Sequence, residues 1–373
     1  MGEPKILAVC GTYDRGGIEM MLLNLARHGL AMDLCAVIPD EGTLEDAFHA
    51  AGCRTFKLTR RSDNIVKHHR ELYRIIKDGK YDVVWLNSQN AFYMRLHMAV
   101  ARAAGAKVIA VHSHNTKDWR GERDNRLSRL NGHYLYKHAD IRLACGTDAA
   151  KWLFGTDKGV TVIPLPVDTE TLKVTDAKRK EARKKLKISD GTTVFLQAGR
   201  FDPVKNQRFT TDIFRWIHDA DPDSLLIFAG DGQTRRDVEK DVYETESIAD
   251  AVYFPGVVED MSTLYAASDV LLMPSLYEGF PTVLLEAQAA GLRCIASDAV
   301  DRDVNITGAV RFLPACLTDQ GRWVAAAGEA ERPLSEQKRL WMNAVTAKEY
   351  DVNAVADKLK SLFAGAVSAK MSL

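Results

Sequence analysis

The sequence predicts an α/β protein with two Rossmann-like domains, each containing a parallel sheet. Its 373 residues suit two hydrophobic cores better than one, because domains usually contain about 100–200 residues. Apolar runs of strand length alternate with helical patterns from residues 6–10 onward and again from residues 194–198 onward. This alternation is typical of βα units and of a doubly wound sheet.

A proline-rich break predicts where the first domain ends. Pro164 and Pro166 follow a short apolar run, and proline stops regular secondary structure. We therefore expect a first domain at residues 1–165, a second at residues 166–350 and a terminal segment at residues 351–373. A helical pattern over residues 340–362 predicts a C-terminal helix.

The composition is that of an ordinary globular protein. No apolar run approaches the ~20 residues that span a bilayer, and the N-terminus lacks the order of a secretion signal, so we expect a cytoplasmic protein. The six cysteines are scattered without zinc-binding spacing, and we expect no metal site.

The zero net charge conceals two halves of opposite sign. Residues 1–165 contain 24 Lys and Arg against 18 Asp and Glu, whereas the remainder contains 26 against 32. A basic first domain suits an anionic acceptor or a membrane surface, although an excess of this size is also typical of an ordinary solvated surface.

Two glutamates eight residues apart flank a Gly-Phe-Pro break in the second half. Glu278 follows an apolar strand pattern, and a helix is predicted to begin at Thr282, directly after Pro281. Glu286 then lies about one turn into that helix, so both carboxylates can face a ligand at the helix N-terminus. The alternative is an acidic first turn and a solvated helix face.

Three further loops that follow predicted strands carry candidate residues. Gly16 and Gly17 open a helix after the first strand, where backbone amides can approach an anion. Arg200 and Lys205 lie in a loop of the second half and can bind a diphosphate as a planar fork and a point charge. The motif His112-Ser113-His114 offers an imidazole for a sugar hydroxyl, a metal pair without a nearby third ligand, or structural histidines.

With these residues assembled, the chain resembles the family 4 retaining glycosyltransferases of GT-B fold, particularly the bacterial capsule and exopolysaccharide branch. The most specific match is the Glu-x7-Glu segment containing Gly279-Phe280-Pro281, and Gly199-Arg200 with Lys205-Asn206 supports it. The resemblance spans nearly the whole chain. It implies two Rossmann-like domains whose parallel sheets face a central cleft, with the C-terminal helix crossing back to the first domain.

The resemblance also implies residue roles. Arg200 and Lys205 would hold the donor diphosphate, Glu278 would address the donor sugar, and Glu286 would bind the ribose hydroxyls. His112 matches the active-site histidine, with His114 as the adjacent candidate, and both glutamates grip the donor without acting as a nucleophile. The other donor-binding residues implied are Gly16, Gly17, Val257, Val258, Gly279, Phe280, Pro281 and Thr282.

The implied reaction transfers a hexosyl or N-acetylhexosaminyl group, with retention, from a UDP-linked donor to a glycan or polyprenyl-diphosphate-linked acceptor in surface polysaccharide synthesis. No metal, other cofactor or nucleic acid is expected. The first domain would serve the acceptor at the inner face of the membrane, and the second would bind the donor. A GT-B UDP-sugar epimerase-like enzyme and a non-catalytic nucleotide-sugar-binding protein remain as alternatives.

The sequence departs from the family pattern after the predicted break. Leu165-Pro166-Val167-Asp168 stands where family members often have Asn-Gly-Val-Asp. The resemblance therefore supports no hinge or phosphate role for these residues, whereas the donor motifs are unaffected.

Overall fold

The computed structural model describes residues 2–39, 42–87, 90–114, 126–278, 280–329, 340–345 and 350–372. The chain forms two compact units. Unit 1 comprises Met1–Pro166 and Val352–Leu373, and unit 2 comprises Val167–Asp351.

Unit 1 contains a seven-stranded, all-parallel sheet with the strand order β3-β2-β1-β4-β5-β6-β7. Its strands are β1 (Ile6–Cys10), β2 (Asp33–Ala36), β3 (Thr55–Lys57), β4 (Val83–Asn87), β5 (Val108–Ser113), β6 (Ile141–Ala144) and β7 (Thr161–Val162). Its helices are α1 (Gly17–Arg27), α2 (Glu45–Ala50), α3 (Ile65–Gly79), α4 (Ala91–Ala103), α5 (Arg126–His138), α6 (Thr147–Phe154) and the C-terminal helix α14 (Val352–Met371).

Unit 2 contains a six-stranded parallel sheet with the strand order β10-β9-β8-β11-β12-β13. Its strands are β8 (Thr193–Ala198), β9 (Ser224–Ala229), β10 (Val252–Gly256), β11 (Val270–Met273), β12 (Arg293–Ser297) and β13 (Val310–Leu313). Its helices are α7 (Thr169–Leu172), α8 (Asp176–Leu186), α9 (Gln207–Ala220), α10 (Arg235–Tyr243), α11 (Ser262–Ala267), α12 (Thr282–Ala289) and α13 (Gln320–Gly328), with short 3-10 turns at Pro203–Lys205, Arg302–Val304 and Leu317–Asp319.

These two parallel α/β sheets confirm the predicted fold class. Strands β1, β4 and β11 are buried along their whole length, which explains why they appear in the sequence as continuous apolar runs instead of alternating ones. None of the helices in the described part of the chain is long and apolar enough to cross a membrane.

The C-terminal helix α14 packs on unit 1. Phe363 is fully buried, and its ring lies edge-on to Trp85 of β4 with 5.6 Å between the ring centroids. Near the end of the helix, Lys370 Nζ lies 2.9 Å from Asp140 Oδ1. An apolar contact and an ion pair therefore hold this helix against the first sheet.

The prediction of one helix over residues 340–362 holds only in part. Residues 340–345 are helical, but α14 begins at Val352, because the backbone just before it pairs with the start of unit 2. The amide of Val167 donates to the carbonyl of Tyr350 at 2.9 Å, and Val167 forms a parallel bridge with Asp351. This extended pairing interrupts the helical pattern that the sequence suggests.

A buried carboxylate ties the amino ends of β8 and β11 to helix α8. Asp269 Oδ2 accepts from Arg183 Nη2 at 2.7 Å and from the amide of Val194 at 3.0 Å, and Asp269 Oδ1 accepts from Arg179 Nη2 at 2.6 Å. The side chains of Arg183 and Asp269 are each only 2% exposed. The remaining donors of Arg183 reach backbone carbonyls, including that of Ala267 at 3.1 Å.

We predict that Asp269→Asn lowers the free energy of unfolding of unit 2 by about 3–5 kcal/mol, because it leaves the buried Arg183 without its counter-charge. Chemical unfolding followed by tryptophan fluorescence measures this change. Glu244→Gln serves as the control, since Glu244 pairs with Lys240 at 3.7 Å on an exposed surface and should change stability by less than about 0.5 kcal/mol. Equal effects of the two variants would contradict the prediction.

Candidate functional site

The candidate site of unit 2 lies at the carboxyl ends of β8 and β11. These strands are neighbours, with Phe195 opposite Val270 and Leu196 opposite Leu271, and the sheet order reverses between them. At such a switch point, the loops that follow the two strands leave in opposite directions and open a crevice for a ligand.

The loop after β8 is fixed by its own side chains. The Asp202 carboxylate accepts from the amides of Val204 and Lys205 at 2.9 and 3.2 Å, which caps the 3-10 turn that begins at Pro203. Gln197, from the end of β8, donates to the carbonyl of Lys205 at 2.8 Å. The backbone that carries Lys205 is therefore held on both sides.

Two hydrogen bonds join this loop to the one after β11. Asn206 adopts the left-handed conformation with φ +54°, and its Nδ2 donates to the carbonyl of Pro274 at 3.2 Å. The amide of Leu276 donates to the carbonyl of Val204 at 2.8 Å. Because the loops are tied at these points, their charged side chains have a defined separation.

The charged side chains of the two loops meet in an ion pair between Lys205 Nζ and Glu278 Oε1. The Lys205 and Glu278 side chains are 23% and 14% exposed, so the pair is partly shielded from water and still reachable by a ligand. Arg200 is exposed in the same loop, and within the described residues its guanidinium has no hydrogen-bond or ion-pair partner. Two cations and the Glu278 carboxylate thus lie in the two tied loops, together with the Asp202 carboxylate that caps the 3-10 turn.

Glycines in the loop after β9 allow the Arg200 loop to pack closely. A Cβ at Gly230 (φ +142°) would lie 2.0 Å from the carbonyl oxygen of Gly199. The amide of Phe201 donates to the carbonyl of Asp231 at 2.9 Å. Gly230 therefore has no room for a side chain, and the Gly-Asp-Gly motif of the sequence supports the neighbouring loop.

Glu286 lies in helix α12 and has a different partner from Glu278. The hydroxyl of Tyr265, a buried residue of α11, donates to Glu286 Oε2 at 2.7 Å. Burial raises the pKa of the Glu286 carboxyl above its usual range, while the side chain as a whole is half-buried. In the described part of the chain, Oε1 has no hydrogen-bond partner, so this oxygen is available to an incoming hydroxyl.

The remaining predicted donor residues of unit 2 lie at positions 257–258 and 279–282 of the chain. The ring of Phe280 stacks on that of Tyr350 with centroids 6.2 Å apart and an interplanar angle of 4°. Pro281 precedes α12, and Thr282 is its first residue. Val257 is 56% exposed, whereas Val258 packs with Phe280 against the core. Gly279 lies outside the described residues.

The candidate histidines of unit 1 lie at the carboxyl end of β5, where His112 is the penultimate residue of the strand and His114 follows it. The sheet order reverses between β1 and β4, and β5 is the other neighbour of β4. His112 is fully buried, and neither ring nitrogen has a hydrogen-bond partner within the described residues. Its ring lies nearly parallel to that of Trp85, with centroids 5.8 Å apart, and 4.0 Å from the ring centroid of His114. Burial lowers the pKa of His112 well below its usual range, so the imidazole is neutral at pH 7.

His114 is held by the neighbouring strand. Its Nε2 lies 2.9 Å from Oδ1 of Asn87 at the end of β4, and since that amide oxygen can only accept, Nε2 carries the proton. Burial lowers the pKa of His114 to about 3. Its Nδ1 is buried without a partner within the described residues. The structure therefore brings His112 and His114 together as neutral groups with unused hydrogen-bonding capacity.

A buried glutamate underlies the paired glycines. Glu19 is only 8% exposed, burial raises the pKa of its carboxyl, and the backbone amides of Gly11 and Thr12 hydrogen-bond to it. A Cβ at Gly16 would lie 2.5 Å from Glu19 Oε2, whereas one at Gly17 would meet no heavy atom of the described residues within 4 Å. The first glycine thus accommodates the glutamate, and the second leaves space open among the described residues.

Three residues that contact predicted site residues could not be assigned from the sequence: Glu19, Asn87 and Tyr265. Asn87 and Tyr265 form hydrogen bonds with His114 and Glu286, and Glu19 lies against Gly16. Glu19 follows the paired glycines by two residues, which is a local signal. Asn87 and Tyr265 have no comparable signal in the sequence.

Two family models match adjacent parts of the chain. The model "Glycosyltransferase Family 4" matches residues 15–171, and the model "Glycosyl transferases group 1" matches residues 178–316. The second match covers both tied loops and helix α12, and the first covers the paired glycines and the two histidines.

Named relatives agree with these models. "Putative glycosyltransferase EpsF" of Bacillus subtilis (strain 168) is 28% identical over 352 residues, which is 90% of this chain and 90% of that protein. The UDP-Gal:alpha-D-GlcNAc-diphosphoundecaprenol alpha-1,3-galactosyltransferase of Escherichia coli is 28% identical over 260 residues, which is 66% of this chain and 64% of that protein.

Solved structures share the fold. Anabaena Alr3699/HepE in complex with UDP-glucose superposes with a TM-score of 0.76 at 16% identity, covering 97% of this chain and 100% of that one. WaaG, a glycosyltransferase involved in lipopolysaccharide biosynthesis, superposes with a TM-score of 0.68 at 16% identity, covering 96% and 100%. Together with the family models and the relatives, these matches establish that the chain belongs to the family 4 glycosyltransferases of GT-B fold.

Proposed function

We propose that this protein transfers a hexosyl or N-acetylhexosaminyl group, with retention of anomeric configuration, from a UDP-linked sugar to a glycan or lipid-diphosphate-linked glycan in surface polysaccharide synthesis. The observation that carries the proposal is the Lys205–Glu278 pair at the switch point of unit 2, beside the exposed Arg200. The cations that would bind a diphosphate and the carboxylate that would bind sugar hydroxyls lie in two loops that are hydrogen-bonded to each other.

The relatives support the choice of substrates. The Escherichia coli relative is named for UDP-galactose and a diphosphoundecaprenol-linked acceptor, and Anabaena HepE was solved with UDP-glucose. A UDP-linked donor and a lipid-diphosphate-linked acceptor are therefore the substrate classes that we propose for this chain.

In the proposed mechanism, leaving-group stabilisation dominates catalysis. Arg200 and Lys205 bind the diphosphate and neutralise the charge that develops on it as the glycosidic bond breaks, without a metal ion. When the diphosphate engages Lys205, Glu278 is freed to accept hydrogen bonds from the donor sugar. Glu278 therefore grips the donor and does not act as a nucleophile, and the diphosphate helps to take the acceptor proton.

The other residues position the two substrates. Glu286 accepts from the ribose hydroxyls through Oε1, while the backbone near Val257 and Val258 meets the base and the loop before Thr282 meets the sugar. We assign acceptor binding to unit 1. There the neutral His112 can hydrogen-bond a sugar hydroxyl without carrying a charge. The adjacent His114, whose ring centroid lies 4.0 Å away, is the alternative candidate for this role.

We predict that Lys205→Gln and Glu278→Gln each lower kcat/KM for UDP release from the UDP-sugar substrate by about 10²–10³-fold, since each removes a charged group that stabilises the transition state. A panel of UDP-sugars with a lipid-diphosphate-linked acceptor, assayed by UDP release, measures this. Lys185→Gln, which removes an exposed lysine of α8, should leave the rate unchanged.

Other outcomes of the same assay would contradict the proposal. An epimerised sugar nucleotide formed without an acceptor would identify an epimerase-like enzyme. Binding of UDP without turnover across the panel would identify a non-catalytic binding protein. NMR of the purified product gives the anomeric configuration, and an inverted product would contradict retention.

We predict that Glu286→Gln raises the KM for the donor about tenfold with a smaller change in kcat, because a charged hydrogen bond to the ribose contributes about 1.5–3 kcal/mol. The substituted amide still accepts from Tyr265, so the fold of α12 is retained. Tyr265→Phe is the matched control, since it removes the internal bond and keeps the carboxylate. A larger loss in Tyr265→Phe than in Glu286→Gln would assign Glu286 a structural role.

We further propose that basic residues of unit 1 hold the protein at the inner face of the membrane. The notable surface segments are Arg60-Arg61 and residues 73–77, where Arg74 and Lys77 are exposed on α3. We predict that Arg74→Glu with Lys77→Glu reduces sedimentation with anionic liposomes several-fold, because each basic residue near such a surface contributes about 1 kcal/mol. The same reversal at Lys180 and Lys184 of α8 should have no effect, and equal binding by both double variants would contradict the proposal.

A further inference from the structure

Three histidines of unit 1 meet where helix α3 packs beside helix α4. His68 and His69 belong to α3 and His97 to α4, and each offers one ligand atom, with all three atoms within 4.8 Å of one another. Imidazole nitrogen is a preferred ligand of divalent transition metals. This cluster lies apart in sequence from His112 and His114, and the proposed transfer reaction uses none of its members.

The hydrogen bonds of His68 aim one of its nitrogens at the centre of the cluster. Nδ1 of His68 lies 2.7 Å from the carbonyl oxygen of Thr59, which can only accept, so Nδ1 carries the proton. The lone pair of His68 therefore lies on Nε2, 3.1 Å from Nε2 of His97. A carbonyl that holds the far nitrogen of an imidazole is the usual outer partner of a metal-bound histidine.

The Thr59 carbonyl is itself fixed. The amide and hydroxyl of Thr59 donate to the two carboxylate oxygens of Glu71 at 2.7 and 2.9 Å. Glu71 lies on α3 with His68. The Glu71 carboxylate thus supports His68 through Thr59. Its negative charge offsets part of the charge of Arg61, whose guanidinium lies 3.6 Å from the centroid of the Tyr93 ring.

His69 has a buried nitrogen that nothing in the described part of the chain satisfies. Its Nε2 has no hydrogen-bond partner there, while the backbone of Ile65, one turn earlier, hydrogen-bonds to the ring. An unsatisfied buried polar atom is unfavourable and in native proteins commonly marks an unseen water, ion or functional contact. The hydrogen bond between His68 and His97 does not explain why the His69 imidazole lies beside them with an unsatisfied nitrogen.

Metal binding requires little rearrangement of protons in this cluster, because His68 already has its lone pair on Nε2. Only a change of tautomer is needed at His97, whose Nε2 donates to His68.

We propose that His68, His69 and His97 form a binding site for a divalent transition-metal ion of the Zn²⁺ type, which cross-links α3 to α4. Two Zn–N bonds of about 2.1 Å in a tetrahedral site separate their nitrogens by about 3.4 Å. The His68–His97 nitrogen separation of 3.1 Å is close to that value, and all three ligand atoms lie within 4.8 Å of one another, so small rotations of the rings bring three nitrogens onto one ion. A water molecule completes the fourth position.

The test measures metal binding by the full-length protein after treatment with a chelator and desalting. Co²⁺ reports its coordination through visible absorption, and Zn²⁺ affinity follows from competition with a chromophoric chelator. We expect one bound equivalent, and a loss of affinity of roughly 100-fold or more in His69→Gln, since outer-shell changes alone typically cause 10–100-fold losses.

His69→Gln is the deciding variant because, within the part of the chain that the structure describes, the His69 Nε2 makes no hydrogen bond whose loss would unfold the protein. His97→Gln should also abolish binding, and His133→Gln, which alters an exposed histidine of α5, should bind like the wild type. Equal metal affinity in His69→Gln and His133→Gln, or no stoichiometric binding by the wild type, would overturn the proposal. Because none of these variants touches the donor residues, UDP release without added metal remains an independent readout of the transferase activity.

Discussion

The parallel pairing of β8 with β11 is the constraint on which the candidate donor site depends. Asp269 fixes the amino ends of these strands by binding the amide of Val194 and the guanidinium of Arg183. At the opposite ends, the side chain of Asn206 reaches the carbonyl of Pro274. Because both ends are tied, the Lys205–Glu278 pair sits on two rigid loops. A site built in this way needs little reorganisation when a charged ligand binds.

Unit 1 places buried polar groups at the corresponding edge of its own sheet. His112 and Glu19 are nearly inaccessible, and burial shifts their pKa values in opposite directions, so both neutral forms are favoured. Groups of this kind reduce stability unless they form further hydrogen bonds. The carboxyl end of β5 and the start of α1, where these two residues lie, are where an α/β sheet binds its ligands, which favours a functional origin over a packing one.

Much of the donor site could be predicted because its signals are local. A continuous apolar run marks β11, and Pro281 marks the start of α12, so the placement of Glu278 in a strand-to-helix loop follows from the sequence alone. The contact between Glu278 and Lys205 was not predictable in this way, since the residues are 73 positions apart. Only the order of strands in the sheet brings their loops together.

The other differences between the sequence-based predictions and the structure have the same physical cause. The short strand Thr55–Lys57 contains too few residues for an alternation pattern, and residues 340–362 look helical although Asp351 pairs with Val167. Tertiary hydrogen bonding decides each of these cases, and local propensity carries no information about it.

Hydrogen exchange of the backbone amides, with and without saturating UDP, measures directly whether the two tied loops and α12 bind the nucleotide. If the loops after β8 and β11 bind the nucleotide diphosphate and α12 binds the ribose, exchange should slow in residues 199–206 and 274–286, while the amides of α8 should be unaffected. Slowed exchange confined to other segments, or no change anywhere at saturating UDP, would contradict the account.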